Sequence, residues 1–129
     1  MGIGTPEYIL EAVAAGVDIF DCVFPTRTAR TGMVFTKTGT LSLKKESNAQ
    51  NFEPIDTSCG CPVCGRYSRA YLRHLFKANE ILGIMLATRH NLDFIEHLMQ
   101  AVRTNIEKGT FESFKSSFLD QYTAGGNRR

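Results

Sequence analysis

The chain has 129 residues and a formal net charge of +2, with 43% hydrophobic and 22% charged residues, which is ordinary globular composition and excludes wholesale disorder. No apolar run approaches the roughly 20 residues a membrane-spanning helix needs, and no basic-then-apolar amino terminus marks a secretory signal. Fifteen Lys and Arg against thirteen Asp and Glu name no partner by themselves, so distribution matters more than the total.

In chain order, residues 1–16 read as a Gly-rich loop and a helix. Thr5 is a good N-cap, Pro6 suits the first helical position, Glu7 favours the positive end of the dipole, and Gly16 stops the helix. Ile9, Leu10, Val13 and Ala14 make its apolar face. Residues 17–24 read as a short strand, rich in β-branched and aromatic residues and ended by Pro25. Loop, helix and strand are α/β grammar, but a lone strand cannot close a parallel sheet. The expectation is therefore that residues 1–25 end a larger α/β domain; the alternative is that this strand pairs with the next hairpin. That hairpin spans residues 32–43, its strands at 33–36 and 40–43 flanking a Lys-Thr-Gly turn. Residues 44–58 are polar and loop-like. Helices are expected over 68–78, over a short stretch at 80–88, over a longer segment from Leu92 through Ile106 that stops at Gly109, and from a Thr110 cap through Phe111, Phe114, Phe118 and Tyr122. The ending AGGNRR should fray.

Three of the four cysteines, Cys59, Cys61 and Cys64, fall within six residues. In a chain without a signal peptide this suggests a reducing compartment, expected to be the cytoplasm, and metal binding rather than disulfides. A tetrahedral zinc shell needs four N or S ligands. Gly60 and Gly65 let the chain fold round the ion. The fourth ligand is open among His74, His90, His97 and Cys22: His74 lies on the helix leaving the knuckle, and His90 at the start of the longer helix, where an exposed turn can swing toward the metal. Such a closed shell is structural rather than catalytic. Between Asp21 and Glu46 no acidic residue occurs, while Arg27, Arg30, Lys37, Lys44 and Lys45 do, followed by Arg66, Arg69 and Arg73. Basic residues on a Thr-rich loop and a hairpin suit phosphates; a solvated face explains them equally well. Asp21, between Phe20 and Cys22 near the carboxyl end of the expected strand, is where α/β folds place active sites, although it can also cap a loop or pair with Arg27.

These pieces together carry a resemblance. MGIGTPEYILEAV, DIFDCVFPTRTARTG, CGCPVCGRYSRAYLRHL and ATRHN closely resemble the carboxyl-terminal third of bacterial tRNA-guanine transglycosylase, the queuine tRNA-ribosyltransferase family, across essentially the whole chain. The resemblance implies a fragment of a (β/α)8 TIM barrel with an attached zinc-binding subdomain. Residues 1–31 would be the last barrel unit, 32–90 the zinc subdomain, and 91–129 helices packing back on the barrel. It implies Cys59, Cys61, Cys64 and His90 as ligands of one structural Zn2+ and Asp21 as the nucleophile. It implies tRNA contacts at Gly2, Ile3, Gly4, Thr5, Pro6, Glu7 and Tyr8 and at Thr26, Arg27, Thr28, Ala29 and Arg30, with Met1 and Gly2 lining the base pocket. The implied reaction replaces the wobble guanine of a tRNA anticodon by a 7-deazaguanine precursor base through a covalent Asp–ribose intermediate, in an enzyme commonly homodimeric. The family's second aspartate, its general acid/base, has no counterpart here, so the chain alone is expected to be an inactive fragment, truncated or misassembled. A different reading is a free-standing zinc-dependent RNA-binding module without catalysis; a third is a fragment serving assembly.

Overall fold

A computed structural model describes residues 1–125. In chain order it contains α1 (Pro6–Ala14), α2 (Phe24–Arg30), β1 (Met33–Thr36), β2 (Gly39–Ser42), a 3-10 turn (Glu46–Asn48), α3 (Pro62–Arg66), α4 (Arg69–Lys77), α5 (Ile81–Glu107) and α6 (Phe111–Gly125). No helix among the described residues is long and apolar enough to cross a membrane.

The first helix forms as its sequence dictates: the Thr5 hydroxyl accepts the Tyr8 amide, Pro6 sits in the first turn, and Gly16 takes φ +98° just beyond the end. The strand expected at 17–24 is absent. Residues 17–23 belong to no ladder, and the one backbone bond linking them to the opening loop runs from the Gly2 amide to the Asp21 carbonyl at 2.7 Å. β propensity alone cannot make a strand without a neighbour to pair with.

A second difference follows. Residues 26–30 are not a loop but most of α2. Pro25 occupies the first turn, where its missing N–H costs nothing, and the Thr28 hydroxyl folds back onto the Phe24 carbonyl at 2.8 Å. Arg27 and Arg30 lie in the last turn, where cations suit the dipole.

The hairpin is antiparallel, pairing Met33 with Ser42 through Thr36 with Gly39. Its turn is two residues rather than three, Gly39 (φ +118°) pairing as part of β2. The two helical stretches expected at 80–88 and from Leu92 onward are one 27-residue helix, α5. The polar Arg-His-Asn run at 89–91 looks like a break in sequence, but His90 and Asn91 are fully buried with partners, so the helix continues through them.

α5 is the axis of the molecule and touches every other α-helix and β1. One core cluster, including Ala29, Val34, Leu43, Ile55, Val63, Leu72, Leu75 and Ala87, lies between α2, the hairpin, α3, α4 and the first half of α5. A second, around Leu10, Leu98 and Val102, joins α1, the second half of α5 and the Phe face of α6. Of the terminal AGGNRR segment, residues 126–129 lie outside the described residues.

Candidate metal centre and the adjoining carboxylate

Residues 56–66 fold as a knuckle because a short set of bonds closes it. The Cys59 amide donates to the Asp56 carbonyl at 3.1 Å, and the Gly65 amide to the Cys61 carbonyl at 3.1 Å. Cys61 is the N-cap of α3: its Sγ accepts the Cys64 amide at 3.4 Å, and its own amide donates to Cys59 Sγ at 3.5 Å. Amides aimed at sulfur favour thiolate over thiol.

Of the four candidates for a fourth ligand, the structure brings in His90. Its Nδ1 lies 3.9, 3.4 and 3.5 Å from the Sγ atoms of Cys59, Cys61 and Cys64. All four ligand atoms fall within 4.8 Å of one another. Metal–ligand bonds of about 2.3 Å to sulfur and 2.0–2.1 Å to nitrogen in a tetrahedron require separations of about 3.5–3.8 Å, so the donor set fits one divalent ion. The other ring nitrogen, Nε2, donates to the Phe35 carbonyl at 2.7 Å, which turns the Nδ1 lone pair to the sulfurs. His90 is neither at a helix start nor exposed: it sits inside α5 with no accessible surface. His74 and His97 are exposed, and Cys22 packs near Gly2 instead.

The bare ligands compete for protons. The hydrogen bond from Cys64 pulls the Cys61 thiol down to about 3, and the same contact, with burial, pushes Cys64 far up. Burial opposes charge on His90, but contacts with the Cys59 and Cys61 sulfurs and the Phe35 carbonyl outweigh it and raise the ring to about 10. A divalent cation held here would replace those protons, the usual coupling of metal binding to proton release.

Asp56, in none of the motifs, holds the knuckle to the hairpin. Its carboxylate accepts the Lys37 amide at 2.8 Å, the Ser58 amide at 2.9 Å and the Ser58 hydroxyl at 2.6 Å. Arg69 ties α4 to the entry of the knuckle by donating to the Pro54 and Ile55 carbonyls at 3.0 and 2.7 Å. Asp56 went unread in the sequence; the Asp-x-Ser pattern at 56–58, a turn signature, is the signal that could have found it.

Asp21 is exposed at the end of the extended segment, three residues ahead of α2. The Gly2 amide on its carbonyl keeps the opening loop alongside it, and the two chains are in close contact: a Cβ at Gly4 would fall 2.4 Å from Cys22 Cβ. Met1, Ile3 and Tyr8 are exposed on this edge, whereas Gly4 and Pro6 are buried. Arg27 and Arg30 are exposed, while Ala29 is buried and the Thr28 hydroxyl is spent within α2. Among the described residues, no ion pair involves Asp21 or Arg27. Of the other cations, Arg73 pairs with Glu46 and Lys44 lies over the Phe76 ring.

Fold and site therefore define a protein of mixed helix and hairpin, with a Cys3His cluster able to hold a metal ion and a short basic helix preceded by the exposed carboxylate of Asp21. Residues 1–124 match the family described as queuine tRNA-ribosyltransferase. The protein of that name from Treponema denticola is 53% identical over 122 residues, which cover 95% of this chain and 32% of that protein. The one from Caldanaerobacter subterraneus is 52% identical over 128 residues, 99% of this chain and 34% of that protein, and the one from Desulforamulus reducens 50% over 125 residues. The chain belongs to the queuine tRNA-ribosyltransferase family, and it spans about a third of the length of the curated relatives it matches.

Proposed function

We propose that this chain is the nucleophile-bearing and zinc-bearing part of a tRNA-guanine transglycosylase. The observation that carries the reading is Asp21: an exposed carboxylate held beside the opening glycine loop and directly ahead of a helix with two exposed arginines. In this reading residues 17–23 become a barrel strand when paired with strands from the remainder of the relatives' length, and Asp21 stands at its carboxyl end.

The reaction is a double displacement at a ribose anomeric carbon. An Asp21 oxygen bonds to C1′ as the bond from C1′ to guanine N9 breaks, through an oxocarbenium-like transition state. Guanine leaves with a proton from an acid outside these residues. A 7-deazaguanine base then attacks C1′ from the face guanine left, giving its ring proton to the conjugate base of the acid that protonated guanine; the ester bond breaks, Asp21 returns as carboxylate, and configuration is retained. The target base must be splayed from its stack to be reached. The loop of Gly2, Ile3, Gly4, Thr5, Pro6, Glu7 and Tyr8 and the segment 26–30 flank Asp21 for that purpose, with Met1 and Gly2 against the base.

Zinc suits the three thiolates and imidazole and supplies a closed structural cross-link. The ligands Cys59, Cys61, Cys64 and His90 hold α3, the knuckle and α5 together, and leave no open position for chemistry. Exposed Tyr71, Ile81, Leu82 and Met85 offer apolar surface of the kind a second copy buries.

The test is exchange of labelled guanine into tRNA. Fused behind the amino-terminal two-thirds of the Treponema denticola protein, this chain should support exchange, and Asp21→Asn should abolish both exchange and any RNA adduct that survives denaturation, with tRNA binding retained. The chain by itself should exchange nothing. An adduct formed by the Asp21→Asn fusion would refute the assignment of the nucleophile, and a fusion that folds and binds tRNA without exchange would refute the reaction.

A further inference from the structure

Asn91 follows the ligand His90 on α5 and is wholly buried. Its Oδ1 accepts the Phe35 amide at 3.1 Å, and its Nδ2 donates to the Pro25 carbonyl at 2.9 Å and the Met33 carbonyl at 3.1 Å. Both of its donors are therefore used. On the other side of the same residue, His90 donates to the Phe35 carbonyl at 2.7 Å. Two consecutive side chains of α5 thus grip both polar groups of Phe35. One of them faces the thiol cluster, and the other reaches on into the first turn of α2.

A buried amide is costly unless satisfied, and an apolar side chain of similar volume would fill the space without that cost. What the amide adds is direction: it fixes where the Pro25 carbonyl lies relative to β1. Apolar packing adds to this through buried Pro25 and Ala29 and through Phe24 stacked on Phe35 at 6.1 Å, but it is less directional than a hydrogen bond. Val23, Cys22 and Asp21 lead straight into this turn. A side chain adjacent in sequence to a candidate metal ligand therefore contributes directional bonds to the position of α2.

We propose that Asn91 is a positioning residue that, together with His90, couples occupation of the Cys3His site to the ordering of α2 and so to the placement of Asp21. The inference deepens, and rests on, the reading of Asp21 and α2 as elements of a tRNA base-exchange site.

The test uses the full 129-residue chain with zinc titrated in, and follows hydrogen exchange at the Arg27, Thr31 and Gly32 amides, which are bonded to the Val23, Thr28 and Ala29 carbonyls. Two variants are compared. Asn91→Ala removes all three Asn91 bonds and leaves that of His90, while Asn91→Asp keeps the acceptor for Phe35 and loses both donors. In the wild type, zinc should slow exchange at these amides. In both variants zinc should bind at one ion per chain, and cobalt in its place should give the same thiolate absorption as wild type, while α2 exchanges roughly tenfold faster than in the zinc-loaded wild type. Exchange as slow as wild type in the zinc-loaded variants overturns the proposal. Loss of zinc from either variant also overturns it, since Asn91 would then be only part of the packing beneath the knuckle. Affinity for an anticodon stem-loop is read on the same samples: fast-exchanging α2 with unchanged RNA affinity leaves the clamp standing and refutes α2 as an RNA contact.

Discussion

Asp56 carries much of the knuckle's attachment to the hairpin, and its chemistry gives a pH dependence. Burial favours its neutral acid, but hydrogen bonds from the Ser58 hydroxyl, the Lys37 amide and the Ser58 amide, with the Lys37 charge, outweigh burial and hold the carboxyl below its ordinary 3.8. A folded-state value below the unfolded one adds stability that is complete above the unfolded value and is lost as pH falls through the folded one. Asp56→Asn should therefore cost about 1–3 kcal/mol at neutral pH, read from urea melts. The difference between variant and wild type should shrink as pH falls from 3.8 through the lower folded-state value. A difference that stays constant well below pH 3.8 would show that the carboxylate charge contributes nothing. Gly4 and Cys22 illustrate a different residue-scale constraint, since any side chain at Gly4 meets Cys22 before it meets solvent.

At the scale of elements, α2 and α5 are the instructive cases. α2 presents Arg27 and Arg30 to solvent on a helix whose backbone is otherwise turned inward by Pro25 and Ala29. If this helix tracks a single-stranded anticodon loop, Arg30→Ala should weaken binding and lower the slope of log affinity against log salt by about 0.7, measured by titration with an anticodon stem-loop. An unchanged slope would place Arg30 away from phosphate. The helix periodicity of Ile9, Leu10, Leu72, Leu75 and Phe76 was legible because those residues answer to local pattern and all are buried. The helical state of residues 26–30 was not, because Thr-rich, Pro-led segments have weak intrinsic preference. There Pro25 in the first turn, buried Ala29 and the long-range bond from Asn91 to the Pro25 carbonyl favour the helix. The continuity of α5 was hidden for a related reason, the polar residues at its middle being buried by partners far away in sequence.

For the whole molecule, two core clusters divide the work. The metal knuckle belongs to the first, with Cys61 buried in it and Cys59 and Cys64 packed against it, whereas α1, α6 and the end of α5 form the second. Structural zinc sites in small peptides supply about 10–16 kcal/mol of apparent binding energy at neutral pH. Chelation, or Cys61→Ser, should therefore unfold the first region: the Cys64, Gly65 and Tyr67 amides should lose exchange protection, while those within α6 keep theirs, and the main melting transition should move down. Loss of protection in both regions together would show that α5 transmits the collapse along its length. Acidification should release the ion in the same way, because the thiolates must be deprotonated to bind.

By itself the sequence determined what depends on neighbours along the chain: the cap and stop of α1, the hairpin, the amphipathic helices, the density of thiols that calls for a metal, and the motifs that place the chain in its family. It left the fourth ligand open between three histidines and a cysteine, because each lies within plausible reach of a knuckle whose direction is unknown. Tertiary structure brings His90, buried against the Phe35 carbonyl, together with the three sulfurs as a set able to hold an ion. It also withheld a strand from residues 17–23 and made a helix of the segment after them. In each instance the deciding partner lies far along the chain or is missing from the described residues, and a hydrogen bond or ladder exists only when both partners are present.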